Sequence, residues 1–264
     1  MSAFDDYKGK YENIACRRKD GVLEARLHSH GESLVMSDTV HRDLGPFFQD
    51  VAADYDNRVV VLTGTGGAFC SKFDHGSFSD RSPDVHEWAL RIRRDGRRML
   101  SAFLDIEVPV IAAINGPCVS HSELPLLADV VLCADTTVFQ DATHFIRGLP
   151  PGDGMHVVWT TLLGLNRGRY FLLTGERIAA QRALELGVVG EVLPPDRLLD
   201  RAWELARAWA KLPLTTLVGT RQVLTYEWRR LLLQQLHNGL TEEAAHLVTT
   251  APGAARRPPI ADLL

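Results

Sequence analysis

Residues 107–156 read EVPVIAAINGPCVSHSELPLLADVVLCADTTVFQDATHFIRGLPPGDGMH, and the fold is decided here. Residues 108–114 and 130–133 are continuous apolar runs of strand length. Asn115-Gly116-Pro117 breaks the first, and residues 123–127 form a short helix before the second. Strand, turn, short helix and strand in so few residues imply stacked ββα units around a sheet buried on both faces. Within this span His121, His144 and Asp153 stand where apolar residues or glycine are usual, and a buried polar group needs a partner or a task.

Upstream, residues 11–18 and 22–28 alternate and are split by Lys19-Asp20-Gly21, which predicts a hairpin. Residues 37–54 carry Leu44, Phe47, Phe48 and Val51 at helical spacing, with Ser37 or Asp38 as cap. RVVVLT at residues 58–63 is a buried strand running into Gly64-Thr65-Gly66-Gly67, a loop without the GxGxxG spacing or GK[ST] ending of a phosphate cradle. Residues 84–104 predict a helix whose Arg91, Arg93, Arg94, Arg97 and Arg98 form a solvated face. Downstream, residues 155–163, 167–174 and 179–186 read as helices and residues 188–193 as a last strand. From residue 196 the pattern is helical to about 248, interrupted at Pro213, and PGAARRPP at 252–259 is irregular. The expected organisation is a core domain over residues 1–195 and a helical region over 196–264.

A chain of 264 residues with 45% hydrophobic content can bury a large core. Its net charge of −4 and pI near 6.2 supply no basic field for nucleic acid. No run of about eighteen apolar residues suggests a membrane span, and residues 1–20 lack the apolar segment of a signal peptide, so a cytoplasmic location is expected. Cys16, Cys70, Cys118 and Cys133 form no CxxC pair and predict reduced thiols.

Three stretches carry a family resemblance: VVVLTGTGGAFCSKFD at 59–74, PVIAAINGPCVSHSELPLLADVVLCAD at 109–135, and LLTGERIAAQRALELGVVGEVLP at 172–194. In this order and spacing the chain resembles the crotonase (enoyl-CoA hydratase/isomerase) superfamily from about residue 11 to 248. The resemblance implies an α/β fold, a crotonase-like ββα superhelix whose C-terminal helices serve trimerisation, giving a homotrimer or a dimer of trimers. It also has departures. Val119-Ser120-His121-Ser122, one residue shorter, replaces the glycine run whose backbone N–H holds a thioester oxygen in acyl-CoA members. Lys72 replaces a usual glycine, and His144 falls near the hydratase glutamate.

Those departures resemble 6-oxocamphor hydrolase and related β-diketone hydrolases, through SLVMSDTVH at 33–41, SHSELPLLADVVL at 120–132, FQDATHF at 139–145, PPGDGMHVVW at 150–159 and LLGLNRGRYFLLTG at 162–175. That group implies cofactor-free hydrolysis of a C–C bond in a cyclic β-diketone. It assigns catalysis to His144, Asp153 and His121, and substrate contact to His41, Glu243 and position 36, where Met36 replaces the tryptophan of the group's best-known member. The chemistry needs an activated water, a polarised carbonyl and a stabilised enolate. A histidine whose tautomer Asp153 fixes answers the first, and His121 as donor answers the others. Glu243 would act as a carboxyl of raised pKa.

On residue pattern alone, Asp153 is a helix cap and Glu242, Glu243 and His246 are a solvated face. His28, His30, His75, His86, His156 and His237 read as surface or structural. His121, His144, Asp153 and His156 would compose a metal site, but no local ligand pair such as HExxH is present and no metal is expected. Two further readings stand beside the hydrolase: an acyl-CoA hydratase or isomerase using Glu123, and a catalytically silent scaffold.

Overall fold

Residues 3–79 and 84–249 are described by the computed structural model. After a short helix α1 (Ala3–Tyr7), β1 (Ile14–Lys19) and β2 (Val22–Leu27) pair antiparallel. Asp20 and Gly21 at their turn have φ of 51° and 77°, the left-handed pair that a two-residue hairpin of twisted strands requires. β3 (Leu34–Met36) leads into α2 (Asp38–Ala53), capped by the Ser37 hydroxyl, which accepts from the Val40 backbone N–H at 3.3 Å. There follow β4 (Val59–Gly64), β5 (Cys70–Phe73), α3 (His75–Ser79), α4 (Val85–Asp105), β6 (Val110–Ile114), α5 (Glu123–Leu126), β7 (Val130–Ala134) and β8 (Val138–Phe139). A 3-10 turn at Phe145–Arg147 precedes α6 (Met155–Leu163), α7 (Leu165–Thr174), β9 (Ile178–Ala179), α8 (Ala180–Glu185), β10 (Glu191–Leu193), α9 (Pro195–Trp209) and α10 (Leu214–Thr249). The irregular tail expected at 252–259 lies outside the described residues.

The main sheet has the order β1-β2-β4-β6-β7-β10, parallel from β2 onward. Its central strands β4 and β6 are buried at every position, which explains their unbroken apolar runs. Side chains alternate between two cores: Val59, Val61, Ile111 and Ala113 face Leu198, Ala202 and Trp203 of α9, while Val60, Leu62, Val110 and Ala112 face the α2 and α4 side. A second layer joins β3 to β5 and β8 to β9, with Cys118 bridging Cys70 on one side and Phe139 on the other. This is the α/β architecture of successive ββα units that the sequence predicts.

Two charged contacts brace the helices. Arg91 of α4 reaches Asp38 at the start of α2 at 2.7 Å, so that arginine ties two helices together where the sequence suggested only a solvated face. Arg221 of α10, fully buried, donates to Asp129 and to the carbonyls of Ile106 and Phe103, and Asp129 also accepts from the Val110 backbone N–H. That network pins the long helix to the edge where β6 begins, and removing either ion would strand the other. All four cysteines are free thiols. Among the described residues no helix is long and apolar enough to cross a membrane.

Candidate active site

The second sheet layer brings the two unusual histidines together. Cys118 is laddered to β8: its N–H donates to Val138 O at 2.9 Å, and Ala142 N donates to Val119 O at 3.0 Å. Thr143 Oγ1 adds a bond to Ser120 Oγ at 2.9 Å. The chain leaves this ladder by two adjacent turns, one carrying His121 and the other His144. His121 has φ of 48°, a left-handed conformation that costs a β-carbon residue about 1–2 kcal/mol. Such strain in a buried histidine fits a residue selected for where its ring points.

Asp153 stands between the rings. Its Oδ2 lies 3.3 Å from His144 Nε2 and 3.3 Å from His121 Nδ1, without an aligned hydrogen bond to either. Its Oδ1 accepts from Met155 N at 3.3 Å, closing the first turn of α6. One oxygen thus caps the helix while the other faces the two histidines. α6 is held in turn by Trp159, which stacks on Phe171 at 4.0 Å and donates from Nε1 to Ser122 Oγ at 3.0 Å, next to His121.

The carboxylate on His144 Nδ1 is Asp141, at 2.8 Å, and not Asp153. Two carboxylates therefore bear on His144, Asp141 on Nδ1 and Asp153, from which the sequence expected the tautomer to be fixed, on the opposite ring nitrogen. The signal for Asp141 was present as a D-x-x-H spacing within FQDATHF, which reads as an ordinary loop until the turn is seen. Glu123, assigned from sequence only to the thioester alternative, makes the matching contact on the other histidine, with Oε1 2.8 Å from His121 Nδ1. A buried array results, carboxylate and imidazole alternating from Asp141 through His144, Asp153 and His121 to Glu123.

Glu243 reaches this array because α10 crosses the 150–154 loop with no side chain between the backbones. A β-carbon on Gly239 would sit 2.5 Å from Gly152 O and 2.3 Å from His156 Cε1; one on Gly152 would sit 3.0 Å from Glu243 Cβ. Glu243 is 8% exposed, not on a solvated face, and its Oε2 has no partner. His41, one turn into α2, is buried with its ring 5.6 Å from that of His121 and its Nδ1 also unpartnered. Phe73, which the sequence did not single out, stacks on His121 at 6.1 Å and on Phe78 at 4.6 Å. Met36 is paired in register with Phe73, which places the two residues side by side in the β3–β5 layer. His156 bonds Pro151 O from Nδ1 at 2.8 Å and packs at Gly239, a structural place.

Electrostatics separate these groups. Burial disfavours both imidazolium ions, but Glu123 and Asp153 outweigh it and push His121 up to about 9, and Asp141 with Asp153 holds His144 well above its usual range. Burial alone would raise Asp153, yet His144 and then His121 hold it below the ordinary carboxylate range. Burial and the Asp153 charge push Glu243 up to about 8 and also raise Glu123. Burial, with His121 next, lowers His41 to about 3. The site thus holds neutral donors and charged pairs within one enclosure. Two triads, His121–Glu123–Asp153 and His144–Asp153–Glu243, have ligand atoms within 4.8 Å of one another and could share a cation, although histidine and carboxylate already answer each other's charge in both.

Residues 17–250 match the enoyl-CoA hydratase/isomerase family. The chain belongs to that family, within the crotonase superfamily. Its relatives include the hydroxycinnamoyl-CoA hydratase-lyase of Pseudomonas fluorescens, 28% identical over 76% of this chain and 74% of the relative. Among solved structures, an enoyl-CoA hydratase/isomerase from Mycobacterium paratuberculosis is 30% identical, with 90% of this chain and 95% of that one covered and a TM-score of 0.83. A β-diketone hydrolase from the cyanobacterium Anabaena sp. PCC 7120, bound to (S)-3-oxocyclohexyl acetic acid, is 44% identical, covering 92% of this chain and 96% of that one, with a TM-score of 0.88.

The Gly152–Gly239 crossing yields a direct expectation. Gly239→Ala forces α10 away from the loop, lowering stability by about 1–3 kcal/mol as for other overpacked sites. Urea unfolding followed by circular dichroism should read that loss; an unchanged midpoint would show that the crossing has slack.

Proposed function

We propose that this crotonase-family enzyme is a cofactor-independent hydrolase that cleaves a C–C bond of a cyclic β-diketone, bicyclic or monocyclic, to give a keto acid. The observation that carries the reading is Asp153 Oδ2 set between His144 and His121, 3.3 Å from each. The ligand of the cyanobacterial relative supports it: a ring ketone bearing an acetic acid arm is what hydrolytic opening of a bicyclic 1,3-diketone leaves.

In enzyme whose His144 is neutral, a fraction that grows with pH because Asp141 and Asp153 hold this imidazole well above its usual range, water oxygen bonds to one carbonyl carbon while its proton passes to His144 Nε2. The tetrahedral intermediate collapses by breaking the C–C bond, and the electron pair leaves as the enolate of the second ketone. His121, an imidazolium at neutral pH, stabilises that enolate. The enolate carbon takes the proton held at His144 Nε2, and the new carboxyl keeps both the original carbonyl oxygen and the water oxygen with water's second proton, so one water is consumed. Glu243, neutral below about pH 8, and neutral His41 donate to the substrate oxygens. Met36, beside Phe73 in the β3–β5 layer, bears on which ring system fits.

The thioester alternative is disfavoured because the carboxyl it would use, Glu123, is bonded to His121 at 2.8 Å. Oligomerisation as a homotrimer or dimer of trimers is part of the proposal, supported by the exposed Val223, Leu224, Tyr226 and Leu233 of α10, which cover more readily in an assembly.

A panel of cyclic 1,3-diketones, followed by ultraviolet loss of the diketone chromophore, tests the reading. Turnover is expected for at least one alicyclic member, with His144→Ala and Asp153→Ala slower by about 10²–10⁴-fold. Inertness towards the whole panel, together with hydration of an enoyl-CoA thioester, would reverse the assignment.

The pH profile carries a second expectation. Above about 8 Glu243 ionises, loses its donor proton and places negative charge where the enolate forms, so kcat/KM should fall as pH rises through that value. Glu243→Gln, neutral at every pH, should lose this alkaline limb; its persistence would remove Glu243 as the group responsible.

A further inference from the structure

Asp141 Oδ1 gathers three contacts: it accepts from the backbone N–H groups of Thr143 and His144 at 3.3 and 3.2 Å, and it meets His144 Nδ1 at 2.8 Å. The residue is 1% exposed, and the backbone bonds hold its carboxylate in one orientation. On the far edge of the ring, Asp153 Oδ2 lies at 3.3 Å without alignment. A neutral imidazole carries a single N–H. The shorter, aligned contact keeps that hydrogen on Nδ1 and leaves the Nε2 lone pair turned to the centre of the cluster.

We propose that Asp141 is a positioning residue of the hydrolysis: it holds His144 in the Nδ1–H tautomer and stabilises the imidazolium formed when Nε2 takes the proton of water. The kinetic half of this proposal rests on the diketone-hydrolase reading; the tautomer half does not. Proton accounting is simple: Nδ1 keeps its hydrogen throughout, Asp141 remains a carboxylate, and Nε2 alone gains and loses a proton. Asp153 then has no orienting duty toward Nδ1 and stands on the reacting side, where it also meets His121. The groups facing His144 are Asp141 from its own turn, Asp153 from the start of α6, His121 from the neighbouring turn, Glu243 from α10 and His75 from α3. Among the described residues Asp141 is the one hydrogen-bonded to Nδ1.

Asp141→Asn keeps an oxygen for both backbone N–H groups and removes the charge. Melting should be unchanged, kcat/KM should fall at least about tenfold, and its acid limb should move to lower pH, because an imidazolium without its anion gives up its proton more readily. A variant with the parent rate and profile overturns the proposal. So does a slower variant with an unmoved acid limb, which would mark Asp141 as a turn former only. On the unaltered enzyme without substrate, at a pH above the titration midpoint of His144, long-range proton–nitrogen correlation spectra should show the neutral ring protonated at Nδ1 and not at Nε2. Protonation at Nε2 would overturn the tautomer assignment whether or not the variant folds. These spectra need no turnover, so a failure of the diketone reading appears in the substrate panel and not here.

Discussion

One carboxylate oxygen shared by two imidazoles is the constraint on which the rest of this structure turns. Asp153 Oδ2 stands 3.3 Å from His144 and 3.3 Å from His121, with all three residues buried. Unit charges about 4 Å apart attract by roughly 4 kcal/mol at the effective dielectric of a protein site. Removing each ion from water costs several kcal/mol. The terms are comparable, so stability does not explain the array; an apolar core of the same volume would fold as well. The arrangement makes sense as the chemistry of the proposed hydrolysis, which calls for a base, a cation and an unpaired carboxylate oxygen close together.

Each feature of the fold near the site serves that geometry. The Cys118 ladder fixes the spacing of the turns that carry the two histidines. α6 is locked by Trp159 over Phe171 and by its bond to Ser122, so the Asp153 cap cannot drift. The bare crossing of Gly239 over Gly152 lets α10 deliver Glu243, and the Arg221–Asp129 network fixes the same helix at its other end. All four groups are buried, so their neighbours set them apart, His41 and Glu243 toward neutrality and His121 and His144 toward charge.

The fold was largely legible in the sequence because its signals are local. Unbroken apolar runs mark β4 and β6, Asp20-Gly21 marks the hairpin, and Ser37 marks the start of α2. His121, His144 and Asp153 were legible as misfits in an apolar stretch. Asp141 was not, since an aspartate three residues before a histidine is ordinary loop chemistry until the turn geometry is known. Nor was the contact of Glu123 with His121, or the stacking of Phe73, since both depend on a left-handed backbone at His121 that no pattern announces. Glu243 shows the limit most plainly: its helix looks solvated because the glycines that bury it lie about a turn earlier and on another segment.

The shared carboxylate can be tested without any substrate. Nitrogen-15 titration of the histidine side chains in the unaltered protein and in Asp153→Asn measures both imidazoles at once. Loss of a common anion should lower the titration midpoints of His121, about 9 at the outset, and of His144 together. A midpoint that falls for one histidine alone, or for neither, would contradict the account.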